Sequence, residues 1–119
     1  SRFSGLNVLV VEDEAIVSFL VEEMLLSLGC GEIRLAAGVA PALSLIEERK
    51  PDVGVLDVNL SGALAYPIAE RLAQLRVPFF FATGYGKKGL APEWAERPVI
   101  QKPFDQEALG RILGSVIAA

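Results

Sequence analysis

Histidine is absent from this 119-residue chain, which rules out an imidazole acid, base or zinc ligand. Cysteine is nearly absent. The single Cys30 excludes an internal disulfide and fits a reducing compartment, so a cytoplasmic location is expected. No apolar run reaches the roughly 18 residues of a membrane span. No basic segment leads into an apolar stretch and cleavage site, so no secretion signal is visible. A positive surplus is missing too. Fifteen acids face eleven bases, a net charge of −4, whereas nucleic-acid binders usually carry a basic face. Neither a membrane nor direct nucleic-acid contact is expected.

What the chain does have is apolar material, 52% of its residues, enough for one packed domain. Short apolar runs alternate with helix-like segments about five times, the βαβ pattern of a parallel sheet covered on both faces. Strands are predicted at Asn7 to Val11, Glu32 to Ala36, Val53 to Leu56, Phe79 to Ala82 and Val99 to Gln101. Helices are predicted at Glu14 to Leu28, Val39 to Lys50, Ala65 to Leu75 and Gln106 to about Ile117, the last capped by Asp105. In the first helix, Ile16, Phe19, Leu20, Met24 and Leu28 have core spacing. Between the fourth and fifth strands, Gly84 to Arg97 holds three glycines and Pro92. A full helix is not expected there, only a short turn around Pro92 to Ala95. The units nearly fill the chain, so residues 1–119 are read as a single domain without an effector domain.

Four strand ends carry reactive groups: Glu12-Asp13 after the first strand, Asp57 after the third, Thr83 after the fourth and Lys102 after the fifth. The carboxyl ends of parallel strands form the binding crevice of an open α/β sheet, so these groups are expected to converge. Carboxylates about 4 Å apart repel by roughly 4 kcal/mol at an effective dielectric near 20, and such a cluster is kept when a cation neutralises it. All-oxygen ligands suit Mg2+, with the Asn59 backbone carbonyl available to complete its shell. Each residue also has a plainer reading. Asp13 favours a helix N-terminus, Asp57 opens a turn, Thr83 is a β-branched strand residue and Lys102 is a snorkelling surface lysine. Their joint order is what points to phosphoryl chemistry, with Asp57 as nucleophile, Thr83 as hydroxyl donor and Lys102 as counter-charge.

On these residues the chain resembles the receiver domain of two-component response regulators. The resemblance rests on Glu12-Asp13, Asp57, Thr83 and Lys102-Pro103-Phe104, and covers essentially the whole length. It implies a flavodoxin-like (βα)5 doubly wound parallel sheet, strand order 2-1-3-4-5. It further implies Asp57 as phosphoacceptor, Glu12 and Asp13 as Mg2+ ligands with Asp57, Thr83 as switch hydroxyl and Lys102 as phosphoryl contact. Such a domain is a signalling phosphoacceptor that assists its own phosphorylation and dephosphorylation, rather than an enzyme in the ordinary sense. Its donor is a histidine kinase and its output a downstream protein, with the receiver a monomer or a phosphorylation-dependent dimer.

Val99 stands where many receivers carry an aromatic switch residue. The run Phe79 to Gly86 resembles a Phe-Ala-Thr-Gly-aromatic/Gly subfamily, often stand-alone or linked to kinases of the HWE type, with an irregular fourth helix. Tyr85 is then either a switch aromatic replacing the one missing at Val99 or a static loop residue. Trp94 is either a partner anchor on an output face spanning the fourth and fifth units or a cover for the core. The competing reading is a pseudo-receiver, a binding module without phosphate turnover.

Overall fold

The computed structural model describes residues 2–118. Three strands are buried at every position: β1 (Asn7–Val11), β3 (Val53–Asp57) and β6 (Phe79–Thr83). Their unbroken apolar character follows from having helices on both faces. With β2 (Glu32–Ala36) and β7 (Val99–Gln101) at the edges, they form one parallel sheet in the order β2-β1-β3-β6-β7. This is the flavodoxin-like arrangement, with α1 (Ala15–Ser27), α2 (Val39–Glu48), α3 (Tyr66–Gln74) and α4 (Gln106–Ala118) as its helices. Asp105 caps α4, its side chain accepting from Ala108 N at 2.8 Å. No helix among the described residues is long and apolar enough to cross a membrane.

Successive strand side chains point to opposite faces, and the core splits accordingly. Leu9, Val11, Leu56, Phe79 and Phe81 face α2 and α3. Val8, Val10, Val55, Phe80 and Ala82 face α1 and α4. The fourth helix expected of a complete (βα)5 chain is replaced by two 3-10 turns, Gly86–Gly89 and Pro92–Trp94. Trp94 is buried and covers the first face. It stacks on Tyr66 at 6.0 Å and meets Phe79 and Phe81 edge-on. It is therefore a cover for the core and not an exposed partner anchor. Its indole N–H finds no hydrogen-bond partner among the described residues. The Tyr66 hydroxyl accepts from Ala91 N at 2.8 Å, tying the irregular segment to α3.

The expected inward stripe of α1 holds at Met24 and Leu28, which pack half-buried against the core, and is corrected in the first turns. Ile16, Phe19 and Leu20 are exposed, at 77%, 56% and 49%, whereas Val21, Leu25 and even Ser18 are buried. The helix is apolar on nearly every side, so 3.6-residue spacing fits more than one face. The entry from β1 selects the stripe that meets the sheet. A second difference follows β3, where a short hairpin forms from β4 (Asn59–Leu60) and β5 (Ala63–Leu64). Its two turn residues, Ser61 and Gly62, both have positive φ, as the tightest hairpin turns require.

Candidate functional site

Because the sheet is parallel, β1, β3, β6 and β7 all end at one edge. Asp57 lies opposite Ala82, and Thr83 opposite Gln101. Lys102 N bonds to the Thr83 carbonyl at 2.9 Å, and the Lys102–Pro103 peptide is cis. A cleft of about 480 Å³ opens there, lined among others by Asp13, Asp57, Asn59, Thr83, Tyr85 and Lys102.

Glu12, Asp13 and Asp57 offer carboxylate oxygens within 4.8 Å of one another. Glu12 is the most enclosed. One oxygen accepts from Lys102 Nζ at 3.0 Å, the other from Glu14 N at 3.0 Å. The same ammonium lies 3.4 Å from Asp57 Oδ2. The pairing of Lys102 with Asp57 is thus as the sequence suggests, but Glu12 is its nearer partner. The sequence had no signal for that preference beyond the two residues' shared strand-end position.

Electrostatics follow from this packing. Burial pushes the Asp57 carboxyl up, the neighbouring Glu12 charge pushes it further, and Lys102 opposes both, leaving it at about 6. Asp13 is held below the usual carboxylate range, chiefly by the Ser61 hydroxyl that donates to its Oδ2. Burial works against the Lys102 ammonium, yet the Glu12 hydrogen bond and the Asp57 and Glu12 charges outweigh it and raise its pKa. With all groups ionised, three carboxylates face one ammonium, a local charge of −2. A hard divalent cation matches both that charge and the oxygen-only donor set.

Ser61 is a site residue that sequence reasoning missed. It reads as a turn residue, and only the positive-φ hairpin turns its hydroxyl toward Asp13. The Asn59 side chain accepts from Gly62 N at 2.9 Å and so braces the hairpin. Thr83 is buried, and its hydroxyl accepts from Tyr85 N at 3.1 Å. Tyr85 itself is 79% exposed, and Val99 is half-buried. Cys30 is buried in the core on the α1 and α4 side, and burial raises its pKa.

Residues 8–113 match the family described as response regulator receiver domain. The chain is 34% identical over 119 residues to the sensory transduction protein LytT of Bacillus subtilis, a match covering 91% of this chain and 46% of that protein. It thus spans about half the length of the curated relatives it matches. Among solved structures, SdrG from Sphingomonas melonis superposes with a TM-score of 0.84 at 33% identity, covering 100% of this chain and 99% of SdrG. The receiver domain of the PhyR response regulator from Erythrobacter litoralis gives 0.86 at 26% identity, covering 99% of this chain and 94% of that one.

Proposed function

The chain belongs to the response regulator receiver domain family, and from that premise we propose that it is a working phosphoacceptor, with Asp57 as the acceptor. The observation that carries this reading is the buried Asp57 carboxylate beside Glu12, Asp13 and the Lys102 ammonium. An Asp57 oxygen attacks phosphorus in line. The bond from phosphorus to the donor nitrogen breaks, and its electron pair leaves with the donor's imidazole. The result is an aspartyl phosphate. Positioning and charge neutralisation do most of the work in such a transfer. Asp13, Asp57 and the Asn59 carbonyl, with Glu12 beside them, would hold Mg2+, which would supply positive charge to the phosphoryl oxygens. Lys102 supplies the rest, shifting from Asp57 toward the new phosphoryl group while keeping Glu12 as a partner.

The Thr83 hydroxyl then turns to donate to a phosphoryl oxygen and gives up the hydrogen bond it accepts from Tyr85 N–H, which frees the Gly84 to Gly86 segment to move. Tyr85 takes the part of the aromatic that is missing at Val99. The face formed by Gly84 to Arg97, β7 and α4 passes the change to a downstream protein. The Phe79 to Gly86 run, the irregular segment after it and the likeness to SdrG and PhyR support membership of the Phe-Ala-Thr-Gly subfamily, with a donor kinase of the HWE type. The same chemistry run with water as the attacking group would hydrolyse the aspartyl phosphate, so the domain would assist its own reset.

The test is intact mass after incubation with a small-molecule phosphodonor. One phosphoryl group is gained with Mg2+ and none with EDTA. A folded protein that binds Mg2+ and gains nothing would instead be a pseudo-receiver.

The kinase has a ready seat. Ile16, Phe19 and Leu20 lie exposed in the first turns of α1, directly after Asp13. An apolar groove runs between Leu20, Met24 and Phe104. A Phe19→Glu variant is expected to slow phosphotransfer from the cognate kinase about 10-fold or more while labelling normally with a small phosphodonor. Equal loss with both donors would mean that the substitution damages the site itself.

A further inference from the structure

We propose that Gly89 sets the resting position of the Thr83 hydroxyl and is a positioning residue of the phosphoacceptor site, an inference that rests on the receiver reading. The Gly86–Gly89 turn folds back over the end of β6. A Cβ on Gly89 would lie 2.6 Å from Thr83 Oγ1, 3.5 Å from Thr83 Cβ and 3.4 Å from Tyr85 Cβ. The first distance is shorter than real Cβ contacts allow. Gly86 has a φ of 59°, but Gly89 is outside the left-handed region, so at Gly89 the obstacle to a side chain is space and not backbone conformation. The missing methyl group is what lets the hydroxyl sit against the turn and accept from Tyr85 N. Held there, it makes no hydrogen bond to Asp57 among the described residues.

A methyl group at position 89 forces the Thr83 backbone, the Thr83 side chain or the turn itself to give. The Thr83 backbone is fixed, its carbonyl bonded to Lys102 N at 2.9 Å and its neighbour Ala82 bonded to Val58 N at 3.3 Å. The Thr83 side chain has other staggered positions, and the residue lines the cleft. The hydroxyl therefore turns toward the cleft, where a phosphoryl group would receive it, and Tyr85 N–H loses its partner. Gly89 thus holds the switch in its resting position, and a larger residue releases it. A ligand that prefers the released arrangement then binds a protein already in that arrangement.

The test is Gly89→Ala, read in two ways. Three-bond couplings report the Thr83 rotamer in protein free of metal and phosphate, and the variant is expected to show a different rotamer from wild type. Beryllofluoride with Mg2+, a phosphoryl mimic, is expected to bind the variant about 5-fold or more tightly. In a Thr83→Ala background the same change at Gly89 should have no effect on that affinity. An unchanged rotamer, with the amides of the Gly86–Gly89 turn shifted instead, overturns the inference alone. Wild-type protein that binds no beryllofluoride overturns the phosphoacceptor reading, while the ligand-free rotamer still decides the role of Gly89. If Gly89→Ala prevents folding, the double variant with Thr83→Ala should fold; its failure to do so would place the clash elsewhere and overturn the inference too.

Discussion

Replacing Asp57 with Asn is expected to reduce phosphoryl uptake to background and, in EDTA at pH 7.5, to make the protein more stable by about 1–3 kcal/mol. The first effect is chemical, since a neutral amide is a poor nucleophile toward phosphorus. The second follows from the carboxyl pKa, raised from 3.8 to about 6 by burial and by Glu12. A folded-state pKa above the unfolded value means that the native state binds more protons between the two. The contribution of Asp57 to stability is therefore fully present below about 3.8 and is lost as pH rises through about 6. At pH 7.5 the ionised group opposes folding, and Asn removes that opposition with little change of shape. Urea unfolding across pH should show the advantage of the variant shrinking as pH falls from 7 to 4. Excess Mg2+ should reduce or reverse it, because ligand binding stabilises the wild type more. An Asp57→Asn protein less stable than wild type in EDTA at pH 7.5 would mean that the acidic cluster is not under strain.

Lys102→Met should lower phosphoryl uptake about 100-fold or more and, unlike the Asp57 change, destabilise the Mg2+-free protein by about 3 kcal/mol. The ammonium contacts two carboxylates at once, 3.0 Å from Glu12 and 3.4 Å from Asp57, and Glu12 is only 5% exposed on its side chain. Removing it takes the local charge from −2 to −3 and leaves a buried carboxylate without its counter-charge. Because its pKa is raised, the contribution of Lys102 is present throughout the neutral range and is lost only as pH rises above the usual lysine range. The deficit of Lys102→Met should narrow as pH falls through about 6, where Asp57 takes up a proton. Lys102→Arg, which keeps the charge, should recover much of the stability. A Lys102→Met protein as stable as wild type in EDTA would sink this account of the cluster.

The sheet was legible in the sequence because each strand leaves a short apolar run, and β2 and β7 appear at the expected residues. The site was legible for a related reason. Parallel strands put Asp57, Thr83 and Lys102 at one edge whatever the details of helix packing. Side-chain choices that depend on tertiary geometry were not legible. The α1 sequence Ala-Ile-Val-Ser-Phe-Leu-Val offers apolar residues on several faces, so periodicity picked the wrong side for its first turns, though not for Met24 and Leu28. The Gly and Pro content after β6 was enough to exclude a regular helix and place a turn at Pro92, but whether Trp94 would point outward or cover Phe79 and Phe81 depended on how the two turns fold. Ser61 reaches Asp13 only because a hairpin reverses the chain within two residues.

The stacking of Trp94 on Tyr66 gives the molecule a built-in optical probe. The chain has one tryptophan, and it belongs to the segment that links Thr83 to β7. Its indole is walled by three other aromatic rings, and Arg97 lies over two of the four rings. Leaving this box removes stacking and brings the buried indole into water. Emission from this indole therefore reports one joint of the molecule, shifting to longer wavelength when the segment lifts and staying put when only the opposite face is disturbed.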